Sequence, residues 1–174
     1  MTTATLRKAS SKIDAAASSW LRLDRQLCFA LYSTSLAMTK LYKPLLDPLG
    51  LTYPQYLAML VLWEQDGIGV GELGTRLHLD SGTLTPLLKR LESAGLVARA
   101  RAQDDERRVV VALTAPGRAL RRRAEAVPRG VGEAMRCGSG EVAKLTRELQ
   151  ALRTRLQSAA PSTPTPDRPR KDPR

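Results

Sequence analysis

Two cysteines and one histidine are all that 174 residues offer to soft-metal or imidazole chemistry. A zinc site takes about four ligands in close pairs, whereas Cys28, His78 and Cys137 are scattered along the chain. His78 alone leaves little for triad catalysis and reads as a surface residue of a helix. Two cysteines are also too few for a disulfide framework. No glycine-rich phosphate loop is present. The longest apolar stretch, Tyr56 to Trp63, falls far short of the roughly 18 residues of a membrane span. The opening MTTATLRKASSKIDAAASSW lacks the apolar centre of a signal peptide. These absences lead to the expectation of a cytoplasmic protein with no metal, no cofactor, no catalytic residues and no membrane partner.

What the chain does have is positive charge. Lys and Arg number 28 against 17 Asp and Glu, a net +11. The last seventeen residues contribute only +2, so the body carries +9. An excess of this size suits a polyanion, nucleic acid before membrane, although a solvated basic surface is the plainer alternative.

Residues 1–18 are small and polar, and a mobile segment is expected there. A helical pattern runs from Trp20 to about Leu46, with Leu23, Leu27, Ala30, Leu31, Thr34 and Ala37 on one face. Thr52 and Pro54 open a second helix, Tyr53 to Gln65, apolar nearly all round and therefore central. A short helix follows at about Val70 to Leu77. In LDSGTLTPLLKRLESAGLV, Leu84, Leu87, Leu88 and Leu91 form one buried stripe, and Ser81, Thr85 and Lys89 step by four along another face. Pro86 lacks an N–H, so this helix has to tolerate a gap near its start. Leu96–Arg101 and Val109–Leu113 read as two strands of a hairpin with a charged tip. Thr114 caps another helix, expected to reach about Met135. After a break at Cys137, a last helix to about Gln157 carries Val142, Leu145, Leu149, Leu152 and Leu156, the spacing of a helix–helix seam. The Pro-rich basic tail, 158–174, is expected to be disordered.

This order is that of a winged helix-turn-helix: mainly α, with a small β-hairpin wing. The DNA-binding part would span 51–114, and the seam in the last helix suits pairing with another helix. A recognition helix buries one face and offers short polar or basic groups on the other, so that it can enter a major groove about 12 Å wide. Ser81, Thr83, Thr85, Pro86, Lys89 and Arg90 occupy that outer face. Arg107 and Arg108 at the hairpin tip, with Arg99 and Arg101 on its first strand, would reach a minor groove. Asp104, Asp105 and Glu106 suit DNA poorly. At least one, with Asp105 the candidate, is expected to brace an arginine.

Gly71 to Gly117, GELGTRLHLDSGTLTPLLKRLESAGLVARARAQDDERRVVVALTAPG, resembles the core of the MarR-type winged-helix regulators, with DER at 105–107 as the wing signature. LYKPLLDPLGLTYPQYLAMLVLWE and LDSGTLTPLLKRLE further resemble the OhrR group, sensors of organic hydroperoxides. The resemblance spans about Asp24 to Leu156. It implies a two-fold dimer, formed through helices in 19–50 and 115–157, on a pseudo-palindromic double-stranded operator, with Arg107 anchored in the flanking minor groove.

A free cysteine among apolar neighbours, as in RQLCFALYSTS, is more often a small hydrophobe than a reagent. A reactive thiol needs access and surroundings that favour its anion. On a continuous helix Arg25 would help and Asp24 would oppose. The resemblance implies that Cys28 is the redox-sensing thiol. It also implies that tyrosines fourteen and twenty-five residues later hydrogen-bond it across the dimer, and these places hold Tyr42 and Tyr53. Tyr32 is a weaker candidate, and Tyr56 reads as core. Phe29, Leu31 and Leu36 would favour a peroxide with an organic tail. Cys137, in a flexible break, matches the resolving cysteine of two-cysteine members, with capping by a small cellular thiol as the alternative. Two other readings remain: a regulator relieved by a small phenolic ligand, and a thiol peroxidase.

Overall fold

A computed structural model of the chain describes residues 21–101 and 108–159. These form seven helices and three short strands, in two compact units that divide between Ala134 and Met135.

The first helix, α1, spans Leu27–Leu46. It does not extend back to Trp20 as the periodicity suggests. Leu23–Arg25 is a separate 3-10 turn, and Gln26 is extended with φ −86° and ψ 115°. The expected apolar face of α1 is exposed or half-exposed, and only Leu46 is buried. Gly50, at φ +67°, makes the left-handed exit from the 3-10 turn Asp47–Leu49. Thr52 then precedes α2, Tyr53–Glu64, with Pro54 in its first turn. The Gln55 Oε1 accepts from the Thr52 N–H at 2.8 Å and from its hydroxyl at 2.9 Å, which satisfies a buried amide oxygen. Tyr56, Ala58, Met59, Val61, Leu62 and Trp63 are all buried, so α2 is the central helix its composition suggests.

Strand β1, Ile68–Gly69, is too short to be seen as a pattern. It adds a third strand to the hairpin of β2, Val97–Arg101, and β3, Val109–Leu113, in the antiparallel order β1-β3-β2. Val97 faces Leu113 and Arg101 faces Val109. Between β1 and β2 lie α3, Val70–Leu77, and α4, Ser81–Ser93. His78 is not within a helix. It ends α3 in the left-handed conformation, φ +55°. Leu73, Leu84, Leu88 and Leu91 close the core against Ile68, Val97 and Val111.

The helix expected from Thr114 to Met135 is two helices, α5 (Ala115–Ala124) and α6 (Ala126–Met135). Pro128 has no N–H to return to the Ala124 carbonyl, so the helical ladder opens there. Gly117, in the first turn of α5, lies so close to the hairpin base that an added Cβ would stand 2.0 Å from the Leu96 carbonyl oxygen. That neighbour is backbone and cannot rotate away. Gly117→Ala is therefore expected to lose about 2–4 kcal/mol and to lower Tm by about 5–15 °C in a thermal melt. Gly132→Ala, where nothing lies within 4 Å, should leave Tm unchanged or raise it slightly. Equal melting of the two variants would contradict this packing.

The second unit holds α7, Ser139–Ala159, two residues longer than the seam pattern suggests. Residue 158 therefore belongs to the helix and not to the tail, and 160–174 lie outside the described residues. No residue of α7 is buried.

Candidate DNA-binding surface and thiol site

Helix α4 presents two chemically distinct faces. Leu84, Leu87, Leu88 and Leu91 are buried. Ser81, Thr83, Thr85, Pro86, Lys89 and Arg90 are all exposed, as the recognition-helix reading requires. Asp80 caps the helix: its carboxylate accepts from the Thr83 N–H at 2.9 Å and from the Thr83 hydroxyl at 3.1 Å. These bonds hold the Asp80 carboxyl below its usual range. The Thr83 hydroxyl proton is thus committed to the cap, leaving its oxygen as an acceptor. Pro86 lies inside the helix and donates nothing to the Gly82 carbonyl.

Thr85 and Arg108 line one cleft of about 320 Å³, together with Val70, Gly71, Leu88 and Arg99, where α3, α4 and the hairpin meet. The wing tip with Asp105 and Arg107 lies outside the described residues. Acids do brace arginines elsewhere, at places the sequence reading missed. Glu92, on the last turn of α4, accepts from the Arg99 Nε at 3.0 Å, its Nη2 at 2.6 Å and its backbone N–H at 3.3 Å. The Arg99 guanidinium holds the Glu92 carboxyl low. Arg99 is therefore fastened to α4, which ties strand β2 to the end of that helix. Asp66 accepts from the Leu113 N–H at 2.7 Å and from Arg118 at 2.9 Å, and Arg118 also donates to the Leu113 carbonyl. Both acids lie within a few residues of a turn glycine, Gly95 or Gly67, which is the only signal the sequence offers.

Cys28 is the second residue of α1 and is exposed. Because the helix starts at Leu27, the side-chain relation to Asp24 and Arg25 assumed for a longer helix does not arise. Asp24 instead pairs with Arg22 at 3.0 Å. No side chain caps this end of α1, and first-turn N–H groups lack intrahelical acceptors. Cys28 belongs to that first turn. The Cys28 Sγ also approaches the Gln26 Oε1, at 4.0 Å.

Tyr42 and Tyr53 are brought together, with ring centroids 4.5 Å apart, and Tyr56 stands 5.9 Å from Tyr42. Burial raises the pKa of all three phenols, and the neighbouring phenols raise Tyr42 and Tyr56 further. All three stay protonated, hence donors, at neutral pH. Tyr42 is fourteen residues beyond Cys28 on the same helix, so about 21 Å of helical rise separates them. The phenol pair is out of reach of its own thiol. Tyr32 is exposed, and Tyr56 is buried as expected of a core residue. In the second unit, Cys137 donates to the Met135 carbonyl at 3.2 Å and follows Arg136, which has φ +51°.

Apolar side chains remain uncovered on both units. Leu27, Tyr32 and Leu36 on α1, and Leu145, Leu149 and Leu156 on α7, are each more than two-fifths exposed. Among the described residues no three metal-ligating side chains cluster, and no helix is long and apolar enough to cross a membrane.

The family of transcriptional regulators described as SarA/Rot matches residues 40–123. The organic hydroperoxide resistance transcriptional regulator of Bacillus subtilis is 54% identical over 108 residues, 62% of this chain and 74% of that protein. The HTH-type transcriptional regulator TtmR of Methylorubrum extorquens is 49% identical over 144 residues, 83% of this chain and 74% of that one. AbfR of Staphylococcus epidermidis, solved in its reduced form on DNA, superposes with a TM-score of 0.67 at 35% identity, covering 82% of this chain and 99% of that one. Its disulfide form superposes less closely, at 0.55 and 36% identity, over 80% and 98% of the two chains. The hydroxyl-bearing recognition helix, the three-stranded wing and these likenesses agree: the chain is a MarR-family winged-helix transcriptional regulator.

Proposed function

We propose that this regulator is a homodimeric repressor that grips a pseudo-palindromic operator in its reduced state and lets go when organic hydroperoxide oxidises Cys28. The observation that carries the reading is the Tyr42–Tyr53 pair. It is made of two protonated phenols, about 21 Å along the helix from its own thiol. Such donors serve a thiolate only if a second copy supplies it. The relative from Bacillus subtilis is an organic hydroperoxide resistance regulator, and AbfR was solved reduced, overoxidised and disulfide-linked.

On DNA, Ser81, Thr83, Thr85, Lys89 and Arg90 meet the major groove, with Pro86 shaping the helix start. Arg107 and Arg108 reach the flanking minor groove, with Asp105 bracing the wing. For the switch, the Cys28 thiolate attacks the outer peroxide oxygen. The O–O bond breaks, the alcohol leaves and sulfenic acid remains. The Cys137 thiolate then attacks that sulfur, an S–S bond forms and hydroxide leaves to become water. Apolar neighbours such as Phe29, Leu31 and Leu36 favour an organic tail over hydrogen peroxide.

A gel shift on a duplex selected by the reduced protein from a random-sequence pool tests the reading. Cumene hydroperoxide is expected to weaken binding about tenfold or more, and dithiothreitol to restore it. Equal binding after treatment would remove the redox reading and leave a ligand-relieved regulator. On a non-reducing gel Cys137→Ser should lose the oxidised dimer band, and a band that persists would show that Cys137 is not the resolving residue.

A further inference from the structure

Resting on that reading, we propose that Trp63 is the positioning residue through which the Tyr42–Tyr53 pair acts on the recognition helix and wing. Its indole N–H carries the connection to the backbone of Gly117.

A chain of direct contacts links the two ends. Tyr42 packs on Tyr53 and, 5.9 Å away, on Tyr56. Tyr56 meets Trp63 edge to face at 6.3 Å. The Trp63 Nε1 donates to the Gly117 carbonyl at 2.9 Å, a buried bond that joins α2 to the first turn of α5. Gly117 in turn lies directly against the Leu96 carbonyl. The Gly117 N–H donates to the Thr114 hydroxyl at 3.1 Å, and that hydroxyl donates to the Gly95 carbonyl at 2.6 Å. Gly95 and Leu96 are the turn that ends α4 and opens β2.

Every step in this chain is short, buried or stiff. Aromatic rings in contact move as plates, and the Gly117–Leu96 approach leaves no room for slack. A displaced phenol pair is therefore expected to turn Tyr56 and Trp63. The indole bond then converts that turn into a shift of α5 against the end of α4. A merely structural tryptophan would contribute stability in both redox states alike. A positioning tryptophan changes the ratio between them.

Trp63→Phe keeps an aromatic ring and deletes the donor. The isosteric 3-benzothienylalanine at position 63 keeps the bicyclic volume as well, which covers the case in which phenylalanine fails to fold. Operator Kd is measured for each, reduced and treated with cumene hydroperoxide. The reduced Kd should stay within about twofold of wild type, and the oxidised-to-reduced ratio should shrink about threefold or more. An unchanged ratio overturns the inference. A second arm needs no peroxide: with Trp20→Phe, Trp63 is the only indole left. Its emission should shift when the reduced protein binds the selected duplex, and a spectrum blind to DNA overturns the link. Wild-type protein that ignores peroxide would instead sink the redox reading, while the fluorescence arm still decides the role of Trp63.

Discussion

Cys28→Ser is expected to hold its operator in the reduced state within about twofold of wild type, and to hold it equally well after cumene hydroperoxide. Wild type should lose about tenfold to a hundredfold in affinity under the same treatment, the usual range of coupling between two sites on one protein. The exposed sulfur is the second residue of α1, beside N–H groups that no side chain caps. A serine hydroxyl keeps the size and the hydrogen bonding of the thiol but is not oxidised by peroxide, so the reporter is lost while the scaffold stays. Tightly held DNA contacts amplify the change. Affinity rests on many phosphate contacts, so a small tilt of the recognition helices removes several at once. The same gel separates the alternatives. A regulator relieved by a phenolic effector would respond to that effector whether residue 28 is cysteine or serine. A thiol peroxidase would consume peroxide far beyond one equivalent per chain. If Cys28→Ser leaves DNA as readily as wild type, the switch does not run through this sulfur.

The winged-helix order was legible in the sequence because its signals are local. The leucine stripe of α4, the Thr52 and Thr114 caps and the apolar α2 each follow from neighbours a few residues apart. What was not legible depends on partners remote in the chain or on single backbone angles. Strand β1 exists only because Ile68 finds Val111 across the sheet. The start of α1 at Leu27 turns on one extended residue, Gln26, which apolar periodicity carries straight through. That miss altered the chemistry. It exchanged the side-chain fields of Asp24 and Arg25 for the helix terminus itself as the feature beside Cys28. Two further braces went unseen for the same reason, while the Asp105 brace lies outside the described residues. Acids at the wing tip drew attention by their number, whereas Glu92 and Asp66 act through turns that fold them back on Arg99 and Arg118. The spacing of Tyr42 and Tyr53 was visible, but that these rings meet at a tilt of 44°, far from the thiol of their own chain, is a fact of the fold.

Leu149→Asp is expected to convert the proposed dimer to monomer at micromolar concentration and to reduce operator affinity by orders of magnitude. Leu145, Leu149 and Leu156 lie on the spacing of a helix–helix seam, and each is about half exposed. Water against such a row is costly, and burying a leucine contributes about 1.5–3 kcal/mol. In a two-fold interface each substitution occurs twice. Loss of the pair alone therefore weakens association by about 3–6 kcal/mol, a factor of hundreds to tens of thousands, before the cost of a buried carboxylate is added. The operator term follows from symmetry. A monomer meets one half-site and loses the benefit of a second, already tethered recognition helix. Arg147→Asp is the control. Two residues away on the helix, it turns to the other side and leaves the apolar row intact, so its sedimentation should match wild type. It changes charge as much as any substitution on α7 could, which separates electrostatic effects from packing. If Leu149→Asp sediments as a dimer while Arg147→Asp does not, the row is a solvated face and the two copies meet elsewhere.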